Sequence, residues 1–126
     1  MNDPIADMLA RIQNALIRKK EEVEVLNTKI NTGILEVLKQ EEMIEDFKGN
    51  GRYTEVVLKY DEDSKPVITS LKKISKLGQR IYISYKEIVP IMNGRGISII
   101  STSEGIMNGA MAKSKNLGGE LICEVW

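Results

Sequence analysis

Histidine is absent from this sequence, and cysteine occurs once, as Cys123. A single cysteine cannot close an internal disulfide. Zinc sites need clusters of Cys, His or carboxylate, and serine or cysteine nucleophiles rely on a neighbouring base such as histidine. The commonest catalytic constellations are therefore missing, and no residue set places a nucleophile beside a base. No enzyme, cofactor, metal or small-molecule substrate is expected. Cys123 closes the apolar run Leu121-Ile122-Cys123, which reads as a buried structural thiol rather than a reactive one. Long apolar runs are lacking too. The longest are a few residues, far short of the roughly 20 that span a bilayer, so no membrane partner is expected. The opening Met1-Asn2-Asp3-Pro4 is acidic and has no apolar signal core, which gives the expectation of a cytoplasmic protein.

Net charge is also lacking: 18 basic residues balance 18 acidic ones, at a pI near 6.3. The balance is uneven along the chain. From Lys65 to Lys115 there are nine basic residues (Lys65, Lys72, Lys73, Lys76, Arg80, Lys86, Arg95, Lys113, Lys115) against Glu87 and Glu104, a net of +7. A second basic run is Arg18-Lys19-Lys20. The acids gather at Glu21 to Glu24, Glu41 to Asp46 and Asp61 to Asp63. Such asymmetry marks either a polyanionic partner or simply solvated surface.

What is present is a patterned globular chain of 126 residues, 42% hydrophobic and 29% charged, long enough to bury a core without staples. Asp3-Pro4 reads as the cap and first position of a helix, with Ile5, Leu9, Ile12 and Leu16 as its buried stripe. Asp7, Arg11, Asn14 and Arg18 line the opposite face, which either meets RNA phosphates or is solvated. Val23 to Val25 reads as a strand. Thr28 caps a second helix that contains Gly33, with Ile30, Ile34, Val37 and Leu38 toward the core. Met43 to Phe47 and Tyr53 to Tyr60 read as a hairpin across a Gly49-Asn50-Gly51 turn.

Asp61 to Pro66 is the best boundary in the chain. Beyond it, Val67 to Ser75, Ile81 to Tyr85, Ile97 to Ile100 and Glu120 to Val125 read as strands. Turns are expected at Lys76 to Gly78, Pro90 to Asn93 and Gly118-Gly119, and a short helix over Gly105 to Lys113. The fold class is α+β with two small domains. The first, 1–62, is an α-β-α-β-β unit; the second, 65–126, is mostly β with a short helix.

Ser101-Thr102-Ser103-Glu104-Gly105 then falls between a strand and a helix. Three short-reach hydroxyls beside free helix N–H groups suit phosphates, riboses and base edges; the same pattern fits plain capping by Ser103. Gly94-Arg95-Gly96 lacks the third glycine of a dinucleotide loop, since position 99 is Ile and a strand follows. Met107 and Met111, four apart, read as core residues of the helix. Tyr82 and Tyr85 flank basic residues and serve either to stack on a base or to pack. The pair Glu41-Glu42 reads as a solvated helix end.

Taken together, five segments resemble the eighth small-subunit ribosomal protein, the S-eight family of bacterial type. They are Asn2 to Leu9 followed by Arg11-Ile12, Glu42 to Phe47, Gly78 to Tyr82, Gly96 to Met107, and Leu117 to Cys123, in the family's order and across nearly the whole chain. The resemblance implies a structural constituent of the small ribosomal subunit that binds the central domain of its ribosomal RNA early in assembly. It implies that the second domain is the main RNA binder, through Ser101, Thr102, Ser103 and Gly105, with Tyr82, Arg80, Gly119 and Glu120 close by. It implies that the first domain touches other ribosomal RNA through Pro4, Arg11 and Asn14 of the first helix and through Thr28 and Lys29. The fifth and twelfth small-subunit proteins are the implied neighbours, and repression of its own messenger RNA is a property of many members. The implied location is the small subunit of the cytoplasm, or of an organelle if the gene lies there.

The departures from the family pattern are also specific. Members are typically basic, whereas this chain is neutral. Glu104 stands where lysine is usual, Leu77 where proline is usual, Ala110 and Gln13 where arginine is common, and Glu124 where an aromatic is common. A protein-interaction module that has lost RNA binding is the competing reading; the neutral charge favours it, and the intact Ser-Thr-Ser segment opposes it.

Overall fold

In a computed structural model of the protein, residues 3–126 are described. Asn2, which opens the first resembling segment, lies outside the described residues. The chain folds as two compact units, Met1–Thr69 and Ser70–Trp126, and its class is α+β.

In the first unit, the Asp3 carboxylate accepts the N–H groups of Ile5 and Ala6 at 3.1 and 3.2 Å and starts helix α1, Pro4–Ile17. Its buried stripe is Met8, Leu9, Ile12, Ala15 and Leu16. It is wider than the expected one, and Ile5 is only half-buried at its edge. The Thr28 hydroxyl accepts the Asn31 N–H at 3.1 Å and starts α2, Lys29–Gln40, which runs through Gly33 unbroken. Asn31, Ile34, Leu35, Val37 and Leu38 are buried there, but Ile30, expected toward the core, is 48% exposed. It sits in the first turn, at the margin of the face those residues define.

Strands β1 (Glu22–Leu26), β2 (Ile44–Asn50) and β3 (Tyr53–Leu58) form an antiparallel sheet in the order β1-β3-β2. The expected turn at residues 49–51 is displaced. Gly49 and Asn50 pair with Thr54 and Tyr53, and the turn is Gly51-Arg52, because Gly51, at φ +67°, supplies the left-handed residue that a tight hairpin needs. Val25, Ile44, Val56 and Leu58 point inward toward the helices. The acidic stretch is itself a closed turn: the Asp61 carboxylate accepts the N–H groups of Asp63 and Lys65 at 2.8 and 2.9 Å. Tyr60 pairs with Pro66, and Val67 donates to the Lys59 carbonyl.

The second unit is an antiparallel sheet. Its strands are β4 (Leu71–Lys73), β5 (Tyr82–Ile83), β6 (Ile97–Thr102), β7 (Gly105–Asn108) and β8 (Gly119–Val125), with α3 (Gly109–Ser114) between the last two. The order is β4-β8-β6-β7, and β5 pairs with the start of β8. Ile88, Ile100, Met107 and Ala112 form a core against which Ile83, Tyr85, Leu117 and Leu121 pack. Cys123 is fully buried; burial pushes its thiol up to about 12, so it stays a neutral packing group.

Several expectations give way here. The strand expected over Val67 to Ser75 is only Leu71–Lys73, since Val67 hydrogen-bonds back within the first unit. The strand expected over Ile81 to Tyr85 is only Tyr82–Ile83. Tyr85–Glu87 is a 3₁₀ turn closed reciprocally by Ser84 and Glu87. The turn at Pro90 to Asn93 is a 3₁₀ turn at Met92–Gly94.

The largest correction concerns Gly105 to Lys113. Its first four residues are β7, and the helix begins at Gly109 under an Asn108 cap whose side chain accepts the Met111 N–H at 2.8 Å. Ser103 caps nothing, Met107 is a buried strand residue, and Met111 is 43% exposed. The final turn is at Lys115-Asn116, with Asn116 at φ +57°, and Gly119 already belongs to β8.

Candidate nucleic-acid interface

At its start, β8 has β5 on one side and β6 on the other. The register places Tyr82 opposite Glu120 and Glu120 opposite Ser101, so three of the expected contact residues form one row across three strands. Gly119 is what allows it: a Cβ there would overlap the carbonyl oxygen of Ser101. Tyr82 is 71% exposed and is thus a presented ring, not a packing residue.

The Glu120 carboxylate beside it is held. Its Oε2 accepts the Ser75 hydroxyl at 2.5 Å and the Arg80 guanidinium at 2.9 Å. Burial would raise the Glu120 carboxyl, but the hydrogen bonds from Ser75 and Arg80, with the charges of Arg80 and Lys73, outweigh it and leave the group below the usual carboxylate range.

Thr102, Ser103 and Gly105 lie at the end of the β6–β7 hairpin. Thr102 pairs with Gly105. The Thr102 hydroxyl donates to the Gly105 carbonyl at 2.8 Å and accepts the Glu104 N–H at 3.1 Å. Ser103 is exposed at the tip. Free helix N–H groups play no part in this loop. Glu104 lies 3.7 Å from the Lys115 ammonium, so its charge is partly answered within the protein.

In the first unit, Pro4, Arg11 and Asn14 follow one another along α1. Arg11 and Asn14 are exposed, and Asp7 holds Arg11 at 2.8 Å. Arg11 is shared by two open clefts. One, of about 480 Å³, includes Pro4, Arg52 and Tyr53; the other, of about 320 Å³, includes Asn14, Arg18 and Lys20. Thr28 and Lys29 open α2, where the buried Asn31 amide donates to the carbonyls of Pro4 and Leu26 at 3.3 and 3.0 Å, which draws the starts of the two helices together.

The sequence reading missed Ser75, Arg52, Tyr53 and Asn31. Arg52 and Tyr53 carried a local signal, as a cation and an aromatic at a hairpin turn. Ser75 carried none, because its partner Glu120 is 45 residues away. Among the described residues no cluster of His, Cys, Asp or Glu could hold a metal ion, and no helix is long and apolar enough to cross a membrane.

An exposed ring, hydroxyls and a fixed carboxylate on an open sheet, with cations around them, define a binding surface rather than a catalytic pocket. A family model described as Ribosomal protein S8 matches residues 3–126. The small ribosomal subunit protein uS8 of Oleidesulfovibrio alaskensis is 47% identical over 126 residues, covering 100% of this chain and 99% of that protein. The uS8c protein of Gracilaria tenuistipitata var. liui is 47% identical over 131 residues, again covering 100% and 99%. The uS8 of Nitratidesulfovibrio vulgaris is 45% identical over 126 residues with the same coverage. The chain belongs to the ribosomal protein S8 family, whose members are structural proteins and not enzymes.

Proposed function

We propose that this protein is a structural constituent of the small ribosomal subunit and binds the central domain of the small-subunit ribosomal RNA during assembly. The second half, residues 65–126, is the main binder, and the first half, 1–62, adds contacts through Pro4, Arg11, Asn14, Thr28 and Lys29. The observation that carries the reading is the row Tyr82–Glu120–Ser101, with the Thr102-Ser103 tip at the end of the same strand.

That row suits an irregular RNA site. The major groove of a regular A-form helix is too deep for side chains, whereas a base splayed from a loop or bulge offers a face to stack and edges to bond. Tyr82 supplies the stacking surface, Ser101 and Ser103 the short-reach hydroxyls, and Thr102, whose proton goes to the Gly105 carbonyl, an acceptor only. Contact with the fifth and twelfth small-subunit proteins, and repression of its own messenger RNA through the same surface, belong to the same proposal.

Filter binding to a transcript of the central domain tests it. The expected result is saturable binding that a transcript lacking that domain does not compete away, together with co-sedimentation with small subunits. Co-sedimentation without binding to any naked transcript would favour the competing reading, a module held in the particle by protein contacts alone.

A further inference from the structure

Ser75 is 1% exposed, yet its hydroxyl is committed on both sides. It accepts the Ile81 N–H at 3.1 Å and donates its single proton to Glu120 Oε2 at 2.5 Å. Arg80 Nη1 donates to the same oxygen at 2.9 Å. Both bonds fall on Oε2; among the described residues Oε1 accepts none. The Glu120 side chain remains 22% exposed, with Tyr82 and Ser101 as its cross-strand neighbours.

A carboxylate on an RNA-binding surface is repelled by every phosphate. It contributes to binding only where it meets a donor, and in RNA those are base N–H groups and the 2′-hydroxyl. A swinging carboxylate would accept from any of them or from water. One oxygen locked by two donors fixes the direction of the other.

We propose that Ser75, with Arg80, is a positioning residue that aims Glu120 Oε1 at the edge of a nucleobase stacked on Tyr82, and so selects a base carrying an exocyclic amino group. This rests on the RNA-binding reading above. The charged groups around the carboxylate are Arg80 and Lys73, and Tyr82 is the titratable group paired with it; the two cations help keep it ionised and therefore an acceptor at neutral pH. Ser75 itself never reaches the RNA.

The test uses the full chain and fragments of the central-domain ribosomal RNA. At each unpaired position in turn the amino group is removed: purine riboside for adenosine, inosine for guanosine, pyrimidin-2-one riboside for cytidine. For the unmodified protein one such change should weaken binding by about tenfold or more. In Ser75→Ala and Arg80→Ala that ratio should fall to within about twofold, whatever happens to absolute affinity. Arg80 is a surface side chain, so its variant folds even if Ser75→Ala does not; circular dichroism and thermal unfolding check both. A uniform loss of affinity with the ratio intact in both variants would make the Ser75–Glu120 link merely structural and overturn the proposal. An unmodified protein that binds but has no amino-dependent position overturns this proposal alone. Failure to bind any fragment overturns the RNA reading with it.

Discussion

The Thr102 hydroxyl is enclosed in a small circuit, giving its proton to the Gly105 carbonyl and taking the Glu104 N–H. It closes the hairpin, and Gly105 completes the turn at φ +114°, a conformation that side-chain-bearing residues rarely adopt. Ser103, next to it, is exposed and has no side-chain hydrogen bond among the described residues. The two substitutions should therefore separate. Thr102→Val should cost stability, about 1 kcal/mol for the lost hydrogen bond, read as a lower urea midpoint. Ser103→Ala should leave that midpoint within about 0.5 kcal/mol of the original and weaken binding to the central-domain transcript by about 1–3 kcal/mol through an unsatisfied base contact. If Ser103→Ala binds as tightly as the original chain, the tip is only a turn.

At the scale of elements, α1 and α2 were legible because each carries a side-chain cap and at least three turns of apolar periodicity. Both caps form as read, at Asp3 and Thr28. Strand β7 was not legible. Gly105 to Asn108 is four residues long, too short to separate a period of 2 from one of 3.6, and Met111 four places after Met107 completed a false helical stripe. The row Tyr82–Glu120–Ser101 was legible only as a set of names, because strand register brings it together and periodicity does not encode register between distant strands.

Asn31 was hidden for a related reason. A polar residue on an otherwise apolar helix face looks like surface, but it is fully buried and ties three elements by donating to Pro4 and Leu26. Its Oδ1 has no partner among the described residues, which marks the amide as a donor first. Asn31→Ala should lower the unfolding free energy by about 1–3 kcal/mol by leaving buried carbonyls without donors. Asn31→Asp should cost more, because it faces those carbonyls with a buried acceptor. Urea unfolding of both gives the order, and an aspartate variant more stable than the alanine one would show that the amide is not serving as the donor.

For the whole molecule, formal counting overstates the positive charge that is free to meet a polyanion. Of the nine cations between Lys65 and Lys115, four have their charged groups in ion pairs or hydrogen bonds within the protein. Arg80 pairs with Glu120, Lys115 with Glu104, and Lys73 and Lys113 donate to the carbonyls of Ser75 and Ile88. In the second unit Lys72, Lys76, Lys86 and Arg95 are the exposed cations with neither an ion pair nor a side-chain hydrogen bond among the described residues. Each phosphate neutralised on single-stranded RNA contributes about 0.7 to the slope of log affinity against log salt, so four such contacts give a slope near −3. Affinity must then come mainly from stacking and hydrogen bonding on the Tyr82 row and the Ser103 tip, terms that salt does not screen, while non-specific binding, which is almost all electrostatic, should be feeble. Filter binding between 50 and 400 mM salt on the central-domain transcript, with an unrelated RNA as competitor, measures both. A slope as steep as about −4, the value for six such contacts, would mean that Arg80 and Lys115 abandon Glu120 and Glu104 for phosphates on binding, and the fixed carboxylate would not survive in the complex.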